Sequence, residues 1–421
     1  MAVIRPFRAV RPYKSFAADV ASLPYDVFTR EEARRYTASR PLSFLNIDRP
    51  ETQFPEGYDM YAPEVYKKAD EMLKSRLRNR IFVRDPGRYF YIYELTMDGR
   101  SQTGLVGLSS VDDYESGVCR RHENTVREKE QDRINHIDAT SAQTGPIFLT
   151  YRPVSSIRDC LENEKKSRPP EYDFTAENGV VNRVWVVDSP GSIAFLEKEF
   201  GSVPRTYIAD GHHRAASAVR VAEKRRMEHP GYTGDEEFNF FLSVLFPSDE
   251  LMIMDYNRVV TDMSGCSGDF MDLLSRVYSI SGPTGMQKPG HKGQVSMYMS
   301  GEWRTLETRP EIVRKHSSSP VSSLDVSVLQ DEVLGPVLGI NDLRSDPRIS
   351  FVGGVRGLDE LMSRTDTADP RREGKAAAFA MYPTDIDELL DVADAGMLMP
   401  PKSTWFEPKL MSGLFIHEIE R

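Results

Sequence analysis

Tyr207-Ile208-Ala209-Asp210-Gly211-His212-His213-Arg214-Ala215-Ala216-Ser217-Ala218 is the most informative run in the chain. The apolar residues Tyr207 to Ala209 have the character of a strand end. His213 to Arg226, rich in Ala, Arg, Lys and Glu, has the character of a helix. Gly211 between them permits a tight turn. The order is therefore strand, acidic-glycine turn, helix, with two histidines and an arginine in the helix's first turn. Unpaired N–H groups and the positive dipole end make a helix start attractive to anions. Arg214 adds a planar cation suited to phosphate. Asp210, at the strand end, is placed to hold a metal or accept a proton. An Asp-Gly pair alone is ordinarily a turn, and a lone histidine is ordinarily structural. Here too many polar groups crowd one turn for that reading, and a phosphate or metal site is expected.

Two further clusters share this character. Arg120-Arg121-His122-Glu123-Asn124-Thr125 precedes a helix expected over Glu128 to Ala142. A Glu in that position is ordinarily a cap or dipole partner. The arginines before it, and Lys129-Glu130 and Asp132-Arg133 after it, favour a working carboxylate. A carboxylate beside a phosphate site is what a general base for an alcohol requires. Lys402-Ser403-Thr404, stiffened by Pro400-Pro401, sets a point charge beside two hydroxyls, which suits a carboxylate or phosphate ligand. Asp26 reads as a turn residue and Asp48-Arg49 as a salt bridge. Gly353-Gly354 lacks the spacing of a phosphate loop. The chain has neither Gly-x-Ser-x-Gly nor His-Glu-x-x-His.

Around these clusters the pattern alternates irregularly. Thr29 with Glu32 forms a capping box opening a helix through Ala38. Phe44 to Ile47 reads as a short strand and Tyr61 to Arg80 as a charged helix. Phe90 to Leu108 reads as a hairpin about Asp98-Gly99. Pro146 to Tyr151 and Val181 to Val187 read as strands, and Glu162 to Asn178 as polar, Pro-containing and exposed. Phe238 to Phe246 and Leu251 to Val260 read as a second hairpin. Asp385 to Ala395 is a helix closed by Gly396, and Gly413 to Ile419 a final strand. The fold class expected is α+β with mixed sheets. Three regions are expected: 1–100 and 261–421 as N- and C-terminal α/β regions, with 101–260 as the core that carries the Asp210 turn.

Composition narrows the class. The 421 residues carry 39% hydrophobic and 28% charged side chains and a net charge of -10. Such a charge argues against holding nucleic acid by general electrostatics. No apolar run approaches the ~20 residues of a membrane helix, and Met1 to Val10 carries no export signal. Cys119, Cys160 and Cys266, odd in number and far apart, argue against disulfides and for a reducing cytoplasm.

The turn Ala209-Asp210-Gly211-His212-His213-Arg214 resembles the signature of ParB/sulfiredoxin-like proteins, specifically the free-serine kinases. Leu23-Pro24-Tyr25-Asp26-Val27, Arg121-His122-Glu123-Asn124-Thr125, Pro146-Ile147-Phe148 and Met399-Pro400-Pro401-Lys402-Ser403-Thr404-Trp405-Phe406 extend the likeness to a large family labelled a domain of unknown function. The resemblance implies a ParB/sulfiredoxin-like nucleotide-binding core. It implies a kinase that uses ATP or ADP with Mg²⁺ to phosphorylate the hydroxyl of a small metabolite, with free L-serine as the acceptor. Gly211, His212, His213 and Arg214 would bind the phosphates, and Asp210 would hold the metal or assist. Glu123 would be the base, with His122 and Arg121 supporting it. Lys402, Ser403 and Thr404 would bound the acceptor pocket. Trp405 departs from the kinases at the residue that follows. His212 stands where sulfiredoxins need Cys. Two other readings stand beside the kinase: a non-catalytic nucleotide-binding regulatory module and a metal-dependent phosphohydrolase. The expected partners are nucleotide and small molecule, with neither nucleic acid nor membrane, and the sequence leaves room for a homo-oligomer.

Overall fold

The structure is a computed structural model and describes residues 1–266 and 268–420. The chain divides into two compact units. The first joins Met1–Arg121, Thr125–Leu251 and the segment from Pro408 onward. The second joins His122–Asn124 to Met252–Glu407. Both are built on mixed or antiparallel sheets with helices, an α+β architecture.

A nine-stranded sheet organises the first unit. Its strands run in the order Cys119–Arg120, Thr206–Asp210, Ile147–Tyr151, Phe240–Pro247, Arg100–Ser110, Phe90–Met97, Val181–Val187, Tyr172–Thr175, with Ile4–Arg5 added beside Arg100–Ser110. The hairpin Phe90–Ser110 turns at Asp98-Gly99, both at positive φ, and so carries the chain across residue 100 within one sheet. The helix His212–Glu228 buries Ala215, Ala218, Val219 and Ala222, a stripe at helical spacing. Small side chains on that stripe let the helix lie close to Ile208, Leu149 and Leu245 of the sheet.

Three expectations change and one gains detail. Phe44 to Ile47 is not a strand: Leu45–Asp48 is one turn of helix with all four residues buried, and a short apolar run cannot be told from a buried helix by period. Glu162 to Asn178 is exposed or half-buried apart from Tyr172, as expected, but it is structured. The helix Ser155–Ser167 runs into it, anchored by Ile157 and Leu161, and Tyr172–Thr175 forms the sheet edge. The second hairpin is absent because both edges of Phe240–Pro247 are occupied, by Arg100–Ser110 and Ile147–Tyr151. Of the expected final strand, His417–Glu418 pairs with Ala142–Gln143 and Ile416 bridges Val10, while Leu414, Phe415 and Ile416 are core residues.

The second unit holds a six-stranded antiparallel sheet ordered Tyr278–Thr284, Glu302–Thr308, Gln294–Met299, Ala377–Met381, Tyr256–Val260, Ile349–Gly353. The Gly353-Gly354 pair serves packing: a Cβ at Gly353 would lie 2.8 Å from the Trp405 ring, and one at Gly354 2.3 Å from Asp255 Oδ1. Asp385 caps the helix Ile386–Asp394 in a capping box with Glu388. Asp325 accepts the Gly293 N–H at 2.9 Å, and burial pushes its carboxyl up to about 6. A carboxyl raised on folding favours the native state below its unfolded pKa of about 3.9, and that advantage is lost as pH rises through the folded value. Urea melts at pH 4 and pH 7 should therefore show Asp325→Asn gaining up to about 3 kcal/mol on wild type between the two pH values. Parallel pH profiles for the two proteins would refute this.

Candidate functional site

The Asp210 turn lies wholly within the first unit. The pairing of Thr206–Asp210 with Ile147–Tyr151 slips between Ile208 and Asp210, a bulge that re-aims the strand end. Gly211 follows at φ +95, and the helix starts at His212. A Cβ at Gly211 would stand 3.1 Å from both Nε and Nη2 of Arg214, whose guanidinium folds back over the turn and donates from Nη1 to Pro146 O. Glycine is therefore required for its φ, and a side chain would also press the guanidinium aside by a few tenths of an ångström. Gly211→Ala should displace the guanidinium, cost about 1–3 kcal/mol in a denaturant melt and weaken phosphate-ligand binding. Unchanged stability and binding would show that the turn tolerates a side chain.

The carboxylate of Asp210 is fully engaged. Oδ1 accepts the Gly211 N–H at 2.8 Å and Oδ2 accepts Lys409 Nζ at 2.9 Å. Burial alone would raise this carboxyl. Lys409 and Arg214, with a smaller part from His212, outweigh burial and hold it well below the usual carboxylate range. Asp210 is thus a fixed negative charge with little affinity for a proton. His213 has a structural duty: its Nε2 accepts the Val126 N–H at 2.9 Å, which puts the ring proton on Nδ1. That bond ties the turn to the start of the helix Arg127–Thr140. Ser217 Oγ, donating to Glu130 O at 3.0 Å, ties the same two helices one turn further on.

Beneath Arg214 is a cavity of about 30 Å³, lined also by Tyr25, Asp48, Arg133, His136 and Thr144. Its polar groups are fixed: Thr144 Oγ1 donates to Asp48 Oδ1 at 2.8 Å, and Arg133 pairs with Asp132 at 2.7 Å while its Cζ sits 4.0 Å over the Tyr25 ring. His136, buried beside Arg133, has its pKa lowered by desolvation first and that cation second; its neutral Nε2–H faces Ile47 O at 2.9 Å. The salt bridge read from Asp48-Arg49 is made differently, since Arg49 pairs with Glu51 at 2.6 Å. Lys409 carried no sequence signal, being a lone lysine nearly two hundred residues from its partner.

Of the remaining candidates, Arg121 lies exposed in the first unit, and the others lie in the second. There the structure brings two separate sequence clusters together: His122 O accepts the Met399 N–H at 2.7 Å, so His122-Glu123 runs beside the segment leading to Lys402. His122 is buried and Glu123 partly exposed. Lys402 adopts φ +60, and its Nζ lies 5.7 Å from the centroid of the Tyr256 ring. Ser403 is buried; its Oγ donates to Pro400 O at 2.6 Å and its carbonyl accepts Thr384 Oγ1 at 3.0 Å. Those bonds fix the bend that presents Lys402 and Thr404. Trp405–Glu407 then pairs with Met252–Met254.

The chain belongs to the family described as "Protein of unknown function (DUF1015)", whose model matches residues 4–327. No curated protein matches the sequence. Among solved structures, C-terminally truncated SbnI from Staphylococcus aureus is similar at 12% identity over 74% of this chain and 87% of its own, with a TM-score of 0.38. A free serine kinase in complex with AMP is similar at 13% identity over 71% of this chain and 86% of its own, TM-score 0.33. A conserved hypothetical protein from Pyrococcus furiosus is similar at 12% identity, over 71% and 89%, TM-score 0.29. Among the described residues no helix is long and apolar enough to cross a membrane.

Proposed function

We propose that this protein is a cytoplasmic, nucleotide-dependent kinase that phosphorylates the hydroxyl of a small metabolite, free L-serine giving O-phosphoserine, on a ParB/sulfiredoxin-like core. One observation carries the reading: a bulged strand delivers a glycine turn to the start of a 17-residue helix, with the Arg214 guanidinium lying over it and Asp210 neutralised by Lys409. Pairing the one carboxylate at the turn with a lysine leaves the helix start and Arg214 to an incoming polyphosphate. The likeness of Ala209–Arg214 to the free-serine kinase turn supports the same reading.

Phosphoryl transfer depends on positioning and charge neutralisation. The acceptor oxygen forms a bond to the terminal phosphorus of ATP or ADP, the bridging P–O bond breaks, and ADP or AMP leaves. The hydroxyl proton passes to Glu123. The backbone N–H groups at His212 and His213, with Arg214, bind phosphate oxygens, and Lys402, Ser403 and Thr404 bound the acceptor. Among the described residues no group of three or more His, Cys, Asp or Glu side chains could hold a metal by itself. Mg²⁺ would be an ion carried on the phosphates, and Asp210, the one carboxylate at the turn, would have to exchange Lys409 for it. When bound, Mg²⁺ supplies charge neutralisation on the phosphate oxygens.

Incubation with nucleotide and Mg²⁺, with and without L-serine, tests the reading. Serine-dependent loss of nucleotide with formation of phosphoserine is expected. Loss independent of serine would make the protein a phosphohydrolase, and binding without turnover a regulatory module.

A further inference from the structure

The first unit holds a second cavity, of about 180 Å³, which shares Tyr25 and Arg133 with the small cavity under Arg214. Several sequence segments that the phosphate turn leaves unexplained converge on it: Tyr25-Asp26, Arg49, Lys129 and Asp132-Arg133. Tyr61 and Tyr66 add aromatic wall. Its volume is well below the roughly 300 Å³ at which drug-sized ligands are ordinarily held, so it admits a small metabolite and excludes a nucleotide.

The charges inside are mostly spoken for. Arg49 pairs with Glu51 at 2.6 Å and donates to the carbonyls of Tyr25 and Phe28. Arg133 pairs with Asp132, which also accepts the Tyr66 hydroxyl at 2.9 Å. Asp26 and Lys129 differ: both line the cavity, both are exposed, and neither makes a hydrogen bond or ion pair among the described residues. What they leave is one carboxylate and one ammonium at the mouth of an aromatic-walled, internally neutral cavity. A ligand complementary to that pair carries one group of each sign.

We propose that this cavity binds the phosphoryl acceptor as a zwitterion, an α-amino acid with a small side chain, its ammonium on Asp26 and its carboxylate on Lys129. The inference deepens the kinase reading and rests on it: Tyr25 and Arg133 line this cavity and the one under Arg214 alike. It moves recognition of the amino-acid backbone away from Lys402, Ser403 and Thr404.

Calorimetry on the full chain tests it with L-serine, glycerate, which lacks the ammonium, and ethanolamine, which lacks the carboxylate. Wild type is expected to prefer L-serine to both. Asp26→Asn should weaken L-serine by about tenfold or more while sparing glycerate, and Lys129→Met should do so while sparing ethanolamine. ADP affinity, measured on the same samples, should be unchanged, which also reports that the variants are folded. Unchanged L-serine affinity in both variants, or its loss in Lys402→Met instead, overturns the proposal. So does an absence of L-serine binding to wild type that still binds ADP, and the nucleotide turn then stands without this pocket. Binding of L-serine that depends on Asp26 and Lys129 in a protein that binds no nucleotide supports the pocket and removes the kinase.

Discussion

Glu123→Gln is expected to lower turnover by about 10²–10⁴-fold while leaving nucleotide affinity near normal. A serine hydroxyl is a poor nucleophile until its proton has somewhere to go, and a carboxylate can take it where a carboxamide of the same shape cannot. Asp210 is unsuited to substitute. Its two oxygens are engaged by Gly211 N–H and Lys409, and the cations around it hold its proton affinity far below that of an ordinary carboxylate. The Glu123 backbone is fastened through its neighbour, since His122 O accepts Met399 N–H, so the substitution should not disturb the chain path. Nucleotide binding should survive because a carboxylate adds repulsion, not attraction, to phosphates. Initial rates and nucleotide dissociation constants on the same protein decide the matter. Full activity would remove Glu123 from the chemistry. Loss of nucleotide binding would make it a metal ligand or a structural cap.

What the sequence revealed and what it hid follow from the range of the interactions involved. The Asp210 turn was legible because strand, glycine and helix start are consecutive, and each is specified by residues within one or two turns of itself. The capping box at Thr29 was legible for the same reason and forms as expected, whereas the box of Asp385 with Glu388 was read only as a helix start. Lys409 was hidden because nothing local distinguishes a lysine whose partner is Asp210. Phe44 to Ile47 was misread because four apolar residues carry no period, and their helix is set by burial on every side. Phe240–Pro247 was recognised as a strand but assigned the wrong neighbour. Sheet partners are chosen by which edges remain open, and here two strands distant in sequence had taken both. The place of the C-terminal segment was hidden as well. From Pro408 onward it belongs to the first unit's core, with Leu414, Phe415 and Ile416 fully buried, so its removal would unfold that unit before it could report on substrate.

Arg214→Ala should raise the nucleotide dissociation constant by about 10–100-fold, because charge-assisted bonds from a guanidinium contribute roughly 1.5–3 kcal/mol each. The structure adds a structural part: Nη1 donates to Pro146 O, and the side chain roofs the small cavity beside Thr144 and Gly145. A loss of about 1 kcal/mol in stability is therefore expected as well, and it must be separated from the loss of binding. Arg214→Lys does so. Lysine keeps the charge and gives up the planar fork, so it should retain part of the phosphate affinity while losing the fixed geometry over Gly211. The expected order of nucleotide affinity is arginine, lysine, alanine, in proteins that all show a cooperative melt. Arginine and alanine binding nucleotide equally well would mean that the guanidinium only braces the turn against Pro146, and the phosphate site would have to be sought away from this helix start.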